Sequence, residues 1–211
     1  MQFVKKITIG VASLLAPVLI AAPAHAATII GGGTSVTLTS APALTGLGLS
    51  FAPFGTASVS TVGGVPVVTF LVTGGTVNDT TGRALINHNG SGLNFTSGAN
   101  ALRIGDFLIN TTTNVLTGSV RFGTTNLADV PLFNIGSGMS LILTSQAAGA
   151  FTAVFGAPNL TGTVIGTADT NIVTVASPVP EPAAWGMMLL GFGLVGTALR
   201  TRQRRQILQT C

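Results

Sequence analysis

Short segments of apolar and β-branched residues alternate with turn-forming residues through the middle of the chain. Segment 115–122 shows this most clearly, because its apolar positions 116, 120 and 122 share one parity while its polar positions 117, 119 and 121 share the other. A period of two places successive side chains on opposite faces of a strand. The alternation therefore predicts a sheet with one face on a core and one face in water.

The same criteria predict eight strands between residues 27 and 176. Each is rich in Val, Ile, Thr or Phe and is bounded by Gly, Asn, Ser or Pro. They cover residues 35–39, 58–62, 66–73, 101–110, 115–122, 139–145, 159–168 and 171–175. A hairpin loop is predicted at 110–114, and alanines favour a short helix at 145–154. Many short strands at close spacing predict an all-β domain, a single antiparallel β-sandwich or open barrel.

The first 26 residues have the three-part pattern of a secretory signal peptide. Two lysines precede an apolar run, and Ala24 and Ala26 supply the small residues of an A-x-A cleavage site. Such a segment is removed during export, so we expect an N-terminal signal helix and cleavage before Ala27. The Sec translocon and a signal peptidase are the expected partners of this step, and 27–176 is the exported domain.

The other end of the chain pairs a long apolar run with a basic tail. A proline-rich stalk at 177–182 leads into 183–199, which carries no charge, and the tail 200–211 follows. A helix of this length nearly spans the hydrocarbon core, and Trp185 lies at interfacial depth. The positive-inside rule keeps the tail cytoplasmic because of its arginines, which are Arg200, Arg202, Arg204 and Arg205. We therefore expect one transmembrane helix in the inner membrane, with the domain on the periplasmic side.

The residues at this end resemble a known sorting signal. Pro180, Glu181 and Pro182 open the run PEPAAWGMMLLGFGLVG at 180–196, which arginines follow. This pattern resembles the PEP-CTERM sorting signal, in its variant with Trp and paired Met after the proline motif. The resemblance implies that exosortase, a membrane-embedded cysteine protease, recognises Pro-Glu-Pro and removes the helix and tail. It further implies delivery to the cell surface or extracellular matrix, in systems that make exopolysaccharide and biofilm.

The charges of the chain are concentrated at its ends. Charged residues make up 7% of the chain, and its net charge is +4. Between residues 27 and 176, three arginines against four aspartates give a net charge of −1; these are Arg83, Arg103 and Arg121 against Asp79, Asp106, Asp129 and Asp169. Nucleic-acid binders need clustered basic residues, so no nucleic-acid partner is expected. Exopolysaccharide is an additional candidate partner, because the solvent faces of the predicted strands are rich in Thr, Ser and Asn.

One segment of the domain is a candidate ligand loop. The run INHNGSGLNF at 86–95 places His88, the sole histidine of 27–176, between Asn87 and Asn89 and before a glycine turn. It resembles the histidine region of HtaA-like haem-uptake domains, which are also β-rich. The tyrosine that such domains use as an iron ligand has no counterpart, because the chain contains no Tyr. An ordinary surface loop with an exposed imidazole is the alternative interpretation.

The inventory for catalysis is small. Between residues 27 and 176 there is no Cys and no Glu, so zinc would have a poor ligand set, and no G-x-S-x-G elbow is present. The four aspartates are interpreted as turn and cap residues. We therefore expect no catalytic residue, metal or cofactor, and a non-catalytic surface or matrix protein. Two alternatives stay open: a small-ligand domain that binds haem through His88, and a secreted hydrolase that uses aspartates.

Overall fold

The computed structural model of the protein describes residues 26–176 and a helix at 182–207. The first segment is built from eleven strands and two α-helices. The strands are β1 (Ala26–Thr37), β2 (Ser50–Gly55), β3 (Ser58–Val62), β4 (Val65–Leu71), β5 (Gly74–Asn78), β6 (Ala84–Ser97), β7 (Asn100–Asn110), β8 (Val115–Phe122), β9 (Thr125–Ile135), β10 (Ser140–Leu143) and β11 (Val164–Ala176). The helices are α1 (Ala41–Gly46) and α2 (Ser145–Phe155), and a short 3₁₀ turn spans Ser137–Met139.

All strands belong to one antiparallel sheet whose hydrogen bonding returns on itself. Neighbours follow the order β11-β10-β9-β8-β7-β6-β5-β1-β4-β3, and β2 pairs with β6. Strand β11 also pairs with β1, from Ala27↔Ala176 to Thr37↔Thr167. This last ladder closes a circuit of eight strands around an interior, so the first and last strands of the domain are neighbours.

The two strands β1 and β6 each change neighbour halfway along one edge. The beginning of β1 pairs with β5, and its end pairs with β4. Likewise β6 pairs first with β5 and then with β2. The sheet therefore divides beyond β5, with β4 and β3 on one side of the division and β2 on the other.

One apolar core fills the interior and receives side chains from the strands and from both helices of this segment. Helix α2 begins where the Thr144 side chain accepts a hydrogen bond from the Ala147 N–H, and it ends at Gly156 in the left-handed region. Phe151 of α2 packs edge-to-face on Phe95 of β6, with ring centroids 5.0 Å apart. In the described part of the chain, the ladders and the core residues all lie between residues 26 and 176, so this β-domain has a core of its own.

The prediction of an antiparallel all-β domain is confirmed. Two predicted strands, 58–62 and 115–122, have the bounds that the structure gives to β3 and β8, and the predicted helix 145–154 is α2 within one residue. The two strands predicted at 159–168 and 171–175 are wrong in number, because one continuous strand, β11, runs from Val164 to Ala176, and residues 159–163 precede it outside any strand. Helix α1 and strands β2, β5, β6 and β9 were not predicted.

The predicted loop at 86–95 is also wrong, because these residues lie inside β6. The turn-forming run Asn89-Gly90-Ser91 does not reverse the chain. Instead the register with β7 shifts between His88 and Gly92, which is a β-bulge that absorbs the extra residues. His88 therefore lies in a paired strand rather than on an exposed loop.

The C-terminal segment is a helix, α3 (Pro182–Ile207). It is longer than the 183–199 that the apolar run predicted, because it continues through the arginines, which are good helix formers. In the described part of the chain, no helix combines the length and the apolar character needed to cross a bilayer. The predicted transmembrane helix at 183–199 is therefore not confirmed by the structure.

Candidate functional site

His88 is enclosed in the core of the β-domain. Its side chain is only 1% exposed, and it lies opposite Phe107 in the β6–β7 ladder. The Phe70 ring meets the imidazole edge-to-face at a centroid distance of 6.4 Å, and Phe70 packs in the same way on Phe107 at 5.1 Å. The imidazole is thus surrounded by aromatic side chains rather than by water.

A chain of side-chain hydrogen bonds links His88 to the closing ladder of the sheet. The Nε2 atom of His88 lies 2.8 Å from the hydroxyl of Thr34, which is itself 2% exposed. The Thr34 hydroxyl lies 3.0 Å from the hydroxyl of Thr170, its ladder partner on β11. The network therefore joins β6, β1 and β11 through three side chains.

The other ring nitrogen of His88 has no such partner. Among the described residues, its Nδ1 is the one buried side-chain nitrogen or oxygen without a hydrogen bond. Burial lowers the pKa of His88 from its ordinary value of 6.5, and the backbone of Phe107 opposes this effect more weakly. The imidazole is therefore neutral at pH 7, which suits a group with one hydrogen bond in an apolar interior.

The two asparagines predicted beside His88 do not share its environment. Asn87 is half-buried in the ladder with Gly74 of β5. Asn89 is exposed at the bulge, where its N–H donates to the Thr73 hydroxyl at 3.0 Å. Because neighbouring residues of a strand point to opposite faces, the structure does not bring the three predicted ligand residues together.

The bulge of β6 is held by a carboxylate from β7. The Oδ1 atom of Asp106 accepts a hydrogen bond from the Gly90 N–H at 2.8 Å, and its Oδ2 accepts one from the Ser119 hydroxyl at 2.9 Å. The Gly90 N–H is the main cause that lowers the pKa of Asp106; slight burial opposes it, and Ser119, Arg121 and Arg103 add to the lowering. Asp106 has φ 51°, which is a backbone conformation that Asp tolerates at bulges and turns.

A small cavity lies beside His88 in the interior. Its volume is about 50 Å³, and its wall is almost entirely apolar, with Phe70, Phe107 and Ile109 among the lining residues. Pockets for drug-sized ligands measure roughly 300–1,000 Å³. The cavity is therefore a packing gap in a core and has no room for a porphyrin.

The aspartates occupy four separate elements. Asp79 lies in the turn after β5, Asp106 and Asp129 lie at bulges with positive φ, and Asp169 lies in β11. No set of three or more His, Cys, Asp or Glu side chains converges within residues 26–176 and 182–207.

The predicted targeting residues are only partly covered by the structure. Ala24, Pro180 and Glu181 lie outside the described residues. Ala26 and Ala27 begin β1, and Ala27 is buried. Pro182 begins α3, Trp185 is 62% exposed, and Arg200 is exposed. Arg202, Arg204 and Arg205 lie in the last turns of α3.

Nothing in the local sequence indicates the contact between Thr34 and Thr170, or a cluster on the outer face formed by Arg103, Arg121 and Phe54. Thr34 and Thr170 lie inside β1 and β11, whose several threonines look alike in sequence, so nothing marks these two as hydrogen-bond partners. The β7–β8 hairpin alone would not have revealed the two arginines. Regular pairing about a turn at 111–114 places Arg103 opposite Phe122, and only the register shift between Gly105 and Leu108 brings Arg103 opposite Arg121.

Comparison with known proteins gives matches both in fold and in sequence. The crystal structure of the C-terminal domain of HtaA from Corynebacterium glutamicum is similar over 71% of this chain and 99% of that domain, with a TM-score of 0.53 and 14% identity. At this identity the likeness shows the fold alone. No curated protein matches the chain. At residues 178–205 the sequence matches the family model of the PEP-CTERM protein-sorting motif, so the chain carries that motif and is an exported protein targeted to exosortase.

Proposed function

We propose that the chain is a non-catalytic surface or matrix protein whose β-domain is released from the inner membrane by exosortase. The sorting motif at 178–205 is the observation that carries this proposal. The 17 uncharged residues at 183–199, followed by four arginines, support a membrane stage in which the β-domain faces the periplasm. The Sec translocon and signal peptidase act first, and exosortase acts last.

The β-domain supports this role because, among the described residues, it has a core and a closed sheet of its own. Its core and its ladders are complete between residues 26 and 176. Ala27, the first residue after the proposed signal-peptide cleavage, still pairs with Ala176 and Val77. Removal of both ends therefore leaves the folded domain intact, as a protein released to the cell surface or an exopolysaccharide matrix requires.

Intact-mass analysis of protein from cells and from medium tests this proposal. In a host with exosortase, the released form should begin at Ala27 and lack α3. The variant Glu181→Ala should keep α3 and stay with the membrane fraction, because the recognised tripeptide is broken. Arg83→Gln is the matched control, since it changes one exposed charge in the β-domain and leaves the motif alone. Released protein that retains residues 183–211 would refute the proposal.

Haem binding is a second candidate, raised by the resemblance of the sequence around His88 to HtaA-like haem-uptake domains. The residues around His88 do not fit that ligand. The imidazole is 1% exposed, its Nε2 is bonded to Thr34, and the neighbouring cavity measures about 50 Å³. Any haem site on this domain would have to use other residues.

A further inference from the structure

Two of the three arginines in the β-domain lie directly opposite each other. Arg103 of β7 and Arg121 of β8 are ladder partners, and both are exposed. Like charges at directly opposed positions destabilise a sheet. The pair therefore lowers the stability of the sheet, although the domain has few charges.

Arg103 is held in place by an aromatic ring. Its guanidinium carbon lies 3.4 Å from the centroid of Phe54, which is a cation–π contact. The Phe54 ring lies across Gly92 and Gly105, where an added Cβ would come within 2.6 Å of a ring carbon in each case. The Phe54 ring therefore packs directly on the backbone of the two glycines, and the ring orients the guanidinium.

Arg121 is oriented from the other side. Its Nε donates to the side-chain oxygen of Asn126 at 3.0 Å, and Asn126 is its ladder partner on β9. This bond leaves the two terminal nitrogens of Arg121 and the amide nitrogen of Asn126 as donors. We name Arg103, Arg121, Asn126 and Phe54 the arginine cluster.

Neither arginine is neutralised within the described part of the chain, where each makes the contact given above and no ion pair. Asp106 is near enough for both arginines to lower its pKa. Its two oxygens are already bonded to the Gly90 N–H and the Ser119 hydroxyl. Two positive charges against one negative charge leave the surface locally positive, with unused N–H donors.

We propose that the arginine cluster binds the carboxylate groups of an acidic polysaccharide. A guanidinium matches the planar carboxylate with two parallel hydrogen bonds. The neighbouring amide and hydroxyl groups, such as Asn126 and Ser119, suit sugar hydroxyls. A single guanidinium is too weak to hold a free anion firmly. Once one arginine has bound a carboxylate of a polymer, a neighbouring carboxylate is presented to the second arginine at high effective concentration.

The inference deepens the proposed function, because the choice of a sugar polymer rests on delivery to the cell surface. The anion site itself rests only on the geometry of β7, β8 and β9. Failure of the sorting experiment would therefore leave the anion site standing, and failure of the binding experiment would leave the sorting proposal standing.

Isothermal titration of residues 27–178 with sodium polygalacturonate at about 20 mM NaCl tests the site. The wild-type domain should bind, and Arg121→Gln should lower the affinity at least tenfold. Arg83→Gln, which removes the same charge elsewhere, should change the affinity less than twofold. Arg121→Lys should give an intermediate loss, because it keeps the charge without the paired donors. Far-UV circular dichroism and melting temperature confirm that each variant is folded.

Three results would overturn the inference. The first is absence of binding by the wild-type domain. The second is equal loss in Arg83→Gln and Arg121→Gln, which would indicate general charge attraction. The third is a lack of selectivity for the sugar acid. It would appear as equal binding of fully methyl-esterified polygalacturonate, which has no carboxylate, or as a preference for inorganic phosphate, which is not a sugar acid.

Discussion

Replacing Thr34 by Val tests whether the hydrogen-bond network stabilises the closure of the sheet. Valine keeps the shape of threonine and removes the hydroxyl that His88 Nε2 meets at 2.8 Å. The imidazole would then lose its side-chain hydrogen bond, and because Nδ1 makes none of ordinary length, only the weaker interaction with the Phe107 backbone would remain. Thr170 also loses its partner, but it is half-buried and can bond to water.

The expected magnitude follows from these contacts. A buried donor or acceptor left without a partner costs about 1–3 kcal/mol, so Thr34→Val should lower the free energy of unfolding by that amount at pH 8. His88→Leu removes the imidazole while Thr34 keeps its bond to Thr170, and a hydrophobic replacement of similar size costs less than about 1.5 kcal/mol. In the double variant no polar group of the pair remains. Its loss of unfolding free energy should therefore be smaller than the sum of the two single-variant losses by about 1–2 kcal/mol.

Urea unfolding of residues 27–178, followed by far-UV circular dichroism, measures these differences. Tryptophan fluorescence cannot serve, because Trp185 is the sole Trp and lies outside the fragment. Thr69→Val is the matched control: its hydroxyl bonds to Ser35 at 3.1 Å at a half-buried position, so the loss should stay within about 0.5 kcal/mol. The network does not stabilise the closed sheet if Thr34→Val lowers the free energy of unfolding no more than Thr69→Val does. The same conclusion follows if the loss in the double variant equals the sum of the two single losses.

Two further predictions concern His88. Because burial lowers its pKa below 6.5, the unfolded chain binds a proton first as the pH falls, so the free energy of unfolding should decrease below pH 6.5 by at most about 1.4 kcal/mol per pH unit. His88→Leu should remove this slope between pH 6.5 and 5, and a slope that persists there would contradict the assignment. The lowered pKa of Asp106 acts in a separate window, because its contribution is lost only as the pH falls below its ordinary value of 3.8. Haem titration of the same fragment should produce no Soret shift that depends on His88, and a shift abolished by His88→Ala would overturn the account of a closed core.

The local sequence was sufficient to predict a strand wherever its apolar and polar residues alternate regularly between the core and the solvent. In β8 the buried Leu116 and Val120 alternate with more exposed polar residues, so both the strand and its dry face were predictable. Helix α2 was predictable because its alanines are followed by Gly156, which ends the helix in the left-handed region. The sorting motif was predictable for a similar reason, since a linear signal is read from neighbouring residues.

The unpredicted strands contain residues that are typical of turns. Gly75 of β5 has φ 140°, and an added Cβ there would collide with the backbone of Leu85. The glycine is needed because two strands approach closely, not because the chain reverses. In β9, Asp129 has φ 53° at a bulge. In β6 the bulge lies in the turn-forming residues 89–91, which made the strand look like a loop in the sequence. Only the pairing of distant strands distinguishes these cases from loops.

The site depends still more on distant pairing. His88 meets Thr34 across 54 positions of sequence, and Thr34 meets Thr170 across 136. Neither separation leaves a local pattern, because the contacts arise from the closing ladder between β1 and β11. A lone histidine in a polar run therefore indicated an exposed loop, whereas the sheet places it in the core.

The ladder between the first and last strands has a consequence for the proposed export. If the chain crosses the membrane from its N-terminus, β1 emerges first, and the edge of β1 that pairs with β11 stays unpaired until β11 has crossed. An unpaired edge is prone to join other chains, so the interval before 164–176 has crossed is the vulnerable period of biogenesis. Because the sorting motif begins at residue 178, it follows directly after the strand that completes the sheet, and arrival of the protease's target coincides with the end of that period.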